Sequence, residues 1–260
     1  MAHLRALIRK PSPQLSQGLV THIERTPVSY DKAKEQWQAY VAAMQDAGWQ
    51  TIEVEPADKC PDSVFIEDPI FVYEDLAIVM RPGADERKPE TEGAEKAVRE
   101  AGYRVAHIEA PGTIDGGDIL KFGGNVWVGQ APGGRTNAEG VRQLRELLAE
   151  FKTEVIPVKL TKVLHLKSAV TALPDGRIIG YEPLIDDTSV WENFLAVPEE
   201  SGSHVVLLEN NTLLMAASCP QTKKMFENMG YTVIAVDISE FEKLEGCVTC
   251  LSVRLRGHVD

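Results

Sequence analysis

Several side chains with chemical reach stand at odd places in this sequence. Cys250 lies ten residues from the end, with Cys247 three residues before it, in "LEGCVTCLSVRLRGHVD". A chain end is usually loose and tolerant of change, yet this one reads as a strand, "CLSVRL", with the cysteine at its start. His165 precedes "LKSAVTAL", Asp115 and Asp118 bracket "DGGD", and Glu67 and Asp68 sit inside "FIEDPI". A thiol, an imidazole and a carboxylate are the parts of an activated nucleophile: attacking group, proton carrier and orienting acid.

Each of these residues also has a plain structural reading. Cysteine is among the most buried residue types, a lone histidine before an apolar run is usually a satisfied core group, and an acid beside glycines is usually turn chemistry. A metal reading would use Cys247 and Cys250 with His165 or His258, but a single Cys-x-x-Cys is half of a zinc site and no second pair lies at a finger-like spacing. A redox reading needs the pair at a helix N-terminus, whereas this pair precedes a strand.

The elements that would position these groups form a repeat. Four segments carry helical periodicity: "KEQWQAYVAAMQDAG", "EGAEKAVREAG", "RTNAEGVRQLRELLAEF" and "PQTKKMFENMG". The third opens with Thr136 and Glu139 at capping-box spacing. Three of the four end in nearly the same phrase, "GWQTIEVE", "GYRVAHIE" and "GYTVIAVD". In each, a glycine stops the helix, an aromatic follows and a β-branched strand begins. "TEVIPVKL" is the same strand after the remaining helix.

Paired apolar runs with turn residues between them fill the intervals, as in "VFIEDPIFVYEDLAIVMRPG", "IDGGDILKFGGNVWVGQ", "SAVTALPDGRIIGYEP" and "SHVVLLENNTLLMAAS". A last pair joins "TCLSVRL" to "HLRALIRK" at the other end of the chain. The unit is strand, strand, helix, strand, about five times in 260 residues. Its fourth copy is weakest, since "DDTSVWENFLAVPEE" has room only for a short helix. The two chain ends each supply half of one unit, so the repeat predicts a closed ring over residues 1–260, with no linker dividing it.

Glu67 and Asp115 are 48 residues apart, Asp115 and His165 are 50, and His165 and Cys250 are 85, short of two units by the truncated fourth. Equivalent positions of a ring converge on one end of its axis. Glu67, Asp115, His165 and Cys250 are therefore expected to meet although no two are close in sequence. Their common phase favours a site over four separate accidents.

Composition narrows the partner. The chain has 27 Lys+Arg against 39 Asp+Glu, a net charge of −12. That argues against nucleic acid or an anionic membrane surface and suits a cationic small molecule. No leader pattern and no membrane-spanning apolar run is present, so a cytoplasmic protein is expected. Four cysteines are too few for a disulfide scaffold of this size, which makes reduced thiols the expectation.

"PDSVFIEDP", "RPGADER", "DGGDIL", "RTNAEG", "LHLKS" and "GCVTCLS", in that order, resemble the dimethylarginine dimethylaminohydrolases of the pentein superfamily of guanidine-modifying enzymes. The resemblance runs from "PQLSQGL" to "CLSVRL". It implies a single α/β domain, a five-bladed α/β propeller of ββαβ repeats with pseudo-fivefold symmetry, in agreement with the repeat. It also implies hydrolysis of free N(G)-methylated arginine to citrulline and a methylamine through a covalent thiouronium on cysteine. By position in the motifs, Cys250 is the nucleophile, His165 the acid/base and Asp115 the acid that orients it. Asp62, Glu67, Asp68, Arg87 and Arg135 hold substrate side-chain and main-chain groups, and Leu19 and Leu244 contribute backbone groups. Arg87, between Glu86 and Lys88, reads equally well as a solvated surface arginine. Glu245 stands where aspartate is common, and Cys247 is an additional thiol. No cofactor is implied, although zinc could inhibit by binding Cys250 and His165. A homodimer is the expected assembly. The nearest alternative on the same scaffold is an arginine deiminase or another hydrolase of ureido or guanidino amino acids.

Overall fold

The structure is a computed structural model and describes residues 4–255. Five three-stranded sheets follow one another along the chain. The first contains β1 (Arg5–Ile8), then α1 (Tyr30–Asp46) and β2 (Gln50–Glu53). The second has β3 (Ile70–Tyr73), β4 (Leu76–Val79), α2 (Thr91–Glu100) and β5 (Arg104–His107). The third has β6 (Ile119–Phe122), β7 (Asn125–Gln130), α3 (Ala138–Leu148) and β8 (Glu154–Lys159). The fourth has β9 (Val170–Ala172), β10 (Ile178–Gly180) and β11 (Phe194–Ala196). The fifth has β12 (Val205–Leu207), β13 (Thr212–Ala216), α4 (Pro220–Asn228) and β14 (Thr232–Val236). A short α5 (Ser239–Glu242) then leads to β15 (Val253–Leu255), which returns to the first sheet.

Every sheet has the same wiring. The first two strands pair antiparallel and the second pairs parallel with the third, as in β3–β4–β5 and β6–β7–β8. The ring closes through the chain ends: β15 runs antiparallel to β1, with Arg5 opposite Leu255 and Leu7 opposite Val253. The expected pairing of "TCLSVRL" with the N-terminal strand is therefore present, and the architecture is the five-bladed α/β propeller. Residues of β3, β6, β9, β12 and β15, the first strand of each unit, all line one central cavity of about 150 Å³.

The helix-ending phrase has a physical cause. Gly48, Gly102 and Gly230 take φ of 87°, 91° and 91°, a left-handed turn that costs glycine nothing. The amide of each following aromatic then donates back to the last turn, Trp49 to Met44, Tyr103 to Val98 and Tyr231 to Phe226. The aromatic packs into the core, which is the hydrophobic closure of a Schellman end. After α3 the non-glycine Lys152 takes the left-handed position at φ 56°.

Three local expectations are corrected. The cap of α3 is Asn137, whose side chain accepts from the Gly140 amide at 2.8 Å; the Thr136 hydroxyl donates instead to Asp118 at 2.6 Å. The fourth unit has two 3-10 turns, Glu182–Leu184 and Thr188–Val190, where a short helix was expected. The strand at the C-terminus begins at Val253, so Cys250 lies in the turn before it.

That turn is held by the first helix. α1 buries Ala33, Trp37, Tyr40 and Met44 along one stripe, the spacing of an amphipathic face. The buried Tyr40 hydroxyl donates to the Val248 carbonyl at 2.9 Å and lies 2.8 Å from Ser252 Oγ. One side chain of the outer layer thus fixes both ends of the segment that carries Cys250.

Candidate active site

The chemically capable residues lie in the turns that precede the inner strands. Asp68 stands two residues before β3. Asp115 and His165 each precede a 3-10 turn, Gly116–Asp118 and Leu166–Ser168, that leads into β6 and β9. Cys250 stands three residues before β15. A repeat that places its turns on one rim of the ring brings these four together. A small cavity on that rim is lined by Leu19, Asp62, Asp68, Arg87, Arg135, His165, Leu244 and Cys250, with Phe65, Leu164, Glu245 and Gly246 completing the wall.

His165 is the centre of the polar network. Its Nε2 lies 3.1 Å from Asp115 Oδ2, and its Nδ1 lies 3.8 Å from Asp68 Oδ1. Asp115 is fully buried behind the ring, accepts from the Gly83 amide at 2.9 Å and lies 3.4 Å from Arg135 Nη1. Asp118 supports the turn, accepting from the Leu166 amide at 3.0 Å, and burial pushes its carboxyl up to about 6. Burial alone would discourage the imidazolium. The facing carboxylates, Asp68 first and then Asp115 and Asp118, outweigh it and raise His165 to about 9. Asp68 answers in kind: its burial is overcome by His165 and Arg87, which bring it down to about 2. Gly117 is required here, since a Cβ would sit 2.6 Å from Asp68 Oδ1 and 2.7 Å from His165 Nδ1.

Arg87 is 4% exposed, which rules out the solvated-surface reading. Its Nη1 is paired with Asp68 Oδ2, its Nε and Nη2 grip Glu90 at 2.9 and 2.7 Å, and Nη2 also reaches the carbonyls of Asp62 and Phe65. These contacts use four of its five N–H groups. Glu90 is the residue that sequence reasoning missed. It lies three residues after Arg87 in a charged, Pro-containing run that looks like a surface loop, and nothing in that run announces burial.

Glu67 departs from its expected place. Its side chain faces the central cavity, with Lys167 Nζ at 2.5 Å and Arg254 Nη2 at 3.7 Å, and it does not line the rim cavity. Its neighbour Asp68, in the same turn before β3, lines the rim cavity instead. Only its backbone touches the site: the Glu67 amide donates to the Cys250 carbonyl at 3.2 Å.

The thiols Cys247 and Cys250 are both buried, and their sulfurs are 3.3 Å apart. The Cys250 thiol is pushed well above its ordinary value by the contact with Cys247, by burial and by the carboxylates of Glu67 and Asp68. Cys247 is correspondingly held down by that contact, against its burial. Among the described residues, Asp68, Asp115 and His165 are the group whose ligand atoms cluster within 4.8 Å of one another, as a bound metal would need. His258 lies outside the described residues.

The segment 18–22 borders the cavity through Leu19. Asp62 Oδ2 accepts from the Leu19 amide at 3.0 Å, and Glu245 accepts from the amides of Thr21 and His22 at 2.7 and 2.9 Å. Glu245 itself is left-handed, with φ 60°. The free space in the cavity is about 20 Å³, room for about one water, where small-molecule sites typically offer ~300–1,000 Å³.

No protein-family model matches the chain. An N(G),N(G)-dimethylarginine dimethylaminohydrolase of Streptomyces coelicolor is 56% identical over 256 residues, covering 98% of each chain. The chain belongs to the dimethylarginine dimethylaminohydrolase family. A solved dimethylarginine dimethylaminohydrolase, a His-to-Gly variant in an adduct with S-methyl-L-thiocitrulline, superposes with a TM-score of 0.90 at 34% identity, covering 98% of this chain and 100% of that one. A Cys-to-Ser variant of the Pseudomonas aeruginosa enzyme, complexed with citrulline, superposes with a TM-score of 0.89 at the same identity and coverage. Membership in the dimethylarginine dimethylaminohydrolase family accords with a rim cavity that carries a thiol, an imidazole and buried carboxylates.

Proposed function

We propose that the chain hydrolyses free N(G)-methylated arginine to citrulline and a methylamine, with Cys250 as nucleophile, His165 as acid and base and Asp115 as its orienting partner. The observation that carries this reading is the placement of His165 between two buried carboxylates in the cavity that also exposes Cys250. The substrate is a cation, and Asp68 supplies a carboxylate already fixed by Arg87 and by the Gly117 amide at 3.0 Å. Charge-assisted hydrogen bonds to the guanidinium hold its carbon for attack. Leu244 lines the same wall and contributes backbone polarity.

A guanidinium carbon is a poor electrophile, so the nucleophile must be thiolate. In the free enzyme the neighbouring carboxylates oppose that thiolate. A guanidinium bound between Asp68 and Cys250 reverses the local charge and favours it. Cys250 Sγ then bonds to the guanidinium carbon. His165, protonated at neutral pH, gives its proton to the departing amine, and a thiouronium on Cys250 remains. The neutral imidazole next takes a proton from water as the water attacks the same carbon, Cys250 leaves, and the urea of citrulline is formed. Asp115 holds the tautomer and stabilises the imidazolium throughout.

At the far end of the substrate, Arg135 and the remaining Arg87 N–H meet the α-carboxylate. Asp62 and the Leu19 carbonyl meet the α-amino group. The cavity must widen to admit this ligand, since its free space is only about 20 Å³. Glu67 enters the reading through the Cys250 backbone and the charge near its sulfur. No cofactor takes part. Zinc, if it binds at Cys250 and His165, inhibits. A cytoplasmic setting belongs to the same proposal, since all four cysteines are free thiols; so does a homodimer, which sedimentation equilibrium tests. No helix among the described residues is long and apolar enough to cross a membrane.

The deciding assay presents dimethylarginine, monomethylarginine, arginine and citrulline side by side. Turnover of the methylated substrates with release of methylamines is expected. Ammonia release from arginine as the dominant reaction would move the chain to the arginine deiminase alternative.

A further inference from the structure

Cys247 has no part in the reaction above, yet it is placed against the nucleophile. Its sulfur lies 3.3 Å from Cys250 Sγ and 3.2 Å from Thr249 Oγ1. The Cys250 amide donates to the Cys247 carbonyl at 3.1 Å, closing a tight turn around the pair. Turns of that kind keep the two Cα atoms within about 7 Å, the range a disulfide spans. The two sulfurs need to close only to about 2.05 Å. The turn is well supported: Tyr40 bonds its Val248 carbonyl, and a Cβ at Gly246 would lie 2.3 Å from the Phe65 ring. Both cysteines are free thiols.

We propose that Cys247 is a resolving thiol, which captures oxidised Cys250 as a reversible Cys247–Cys250 disulfide and so protects the nucleophile from irreversible oxidation. Cys250 lines the cavity, so a small peroxide that enters by the substrate's route reaches it first. Its thiol sulfur takes one oxygen from hydrogen peroxide to become a sulfenic acid, and one water is released. The Cys247 sulfur then attacks the sulfenyl sulfur. The S–S bond forms, the S–O bond breaks, and the hydroxyl leaves as a second water with the proton of Cys247. Two thiols and one peroxide give one disulfide and two waters. A dithiol reductant returns both thiols. Cys247 is suited to the second step because its sulfur already lies 3.3 Å from Cys250 Sγ within one tight turn. Without a resolving thiol, a sulfenic acid goes on to sulfinic and sulfonic acids, which ordinary reductants do not reverse.

The proposal takes Cys250 as the nucleophile only for its activity readout; the covalent readout stands apart from it. Trypsin releases both thiols on one peptide, Leu244–Arg254, which contains no other cysteine. The full chain and its Cys247→Ser and Cys247→Ala variants are treated with hydrogen peroxide, and each activity is compared with that of its own untreated sample. In the unsubstituted chain, loss of turnover is expected together with a peptide two hydrogens lighter, and dithiothreitol restores both. In the two variants, the peptide gains two or three oxygens at Cys250 and the loss persists after dithiothreitol. The proposal is overturned if the unsubstituted peptide carries sulfinic or sulfonic acid without the disulfide, or if the variants recover as fully as the unsubstituted chain. A disulfide that forms without loss of turnover would sustain the pairing and count instead against Cys250 as the nucleophile.

Discussion

Arg87 Nη1 is paired with Asp68 Oδ2 in a buried contact, so the carboxylate proposed to receive the substrate guanidinium is held by a guanidinium of the protein itself. The same arginine holds Glu90. Burial alone pushes the Glu90 carboxyl up, and Arg87 is what opposes that push. Removing one partner of such a network leaves uncompensated buried charge, typically at a cost of about 3–5 kcal/mol. Arg87→Ala should therefore lower the unfolding free energy by about that much and weaken substrate binding as well. Arg135 keeps 11% of its side chain exposed and pairs with Asp115 at 3.4 Å. Arg135→Ala should raise KM with a much smaller loss of stability. Urea titrations and steady-state kinetics on both variants check the split; equal destabilisation by the two would contradict it.

His165 and Asp115 should differ in severity. His165→Ala removes both proton transfers, each typically worth about 10²–10⁴-fold. Asp115→Ala leaves the imidazole in place with Asp68 still near Nδ1, so the loss should be smaller. Single-turnover rates for the two variants measure this, and equal or reversed losses would undo the assignment.

The raised His165 value makes stability depend on pH. Its folded value of about 9 lies above the ordinary 6.5, so its contribution is fully present below about pH 6.5 and is lost as pH rises through about 9. A shift of this size corresponds to about 3 kcal/mol. The urea midpoint should fall between pH 6.5 and about 9.5, and His165→Gln should flatten that fall. An unsubstituted chain with no decline over the interval would contradict the ion-pair picture.

Much of this was legible in the sequence because it rests on local signals. The glycine-aromatic phrase gave the ends of three helices, and its recurrence gave the ring. The phase of Asp115, His165 and Cys250 in the repeat anticipated that they converge on one rim. The choice between Glu67 and Asp68 was not legible. Both lie in a turn rather than a strand, and a turn has no fixed alternation from which the side facing the rim could be read. Nor was the burial of Arg87 and Glu90. Charged residues in a loop read as solvated unless their partners, here Asp68 and the Asp62 carbonyl, are known to surround them in space.

The reading of the far end of the site calls for a free amino acid. In agmatine Arg135 would lack a carboxylate, and in a methylarginine N-acetyl amide Arg135 would lack a carboxylate and Asp62 an ammonium. Buried polar groups left unpaired cost about 1–3 kcal/mol each, about 5–150-fold in kcat/KM. Measuring kcat/KM for free methylarginine, its N-acetyl amide and agmatine decides the point. Comparable values for all three would remove the carboxylate clamp.

The central claim is that Cys250, and not its neighbour 3.3 Å away, carries the covalent intermediate. Turnover with dimethylarginine is quenched in acid, the chain is digested, and fragmentation of the peptide Leu244–Arg254 locates the added mass. An adduct on Cys250, together with loss of both adduct and turnover in Cys250→Ser, is the predicted result. An adduct on Cys247, or turnover that survives Cys250→Ser, would contradict it.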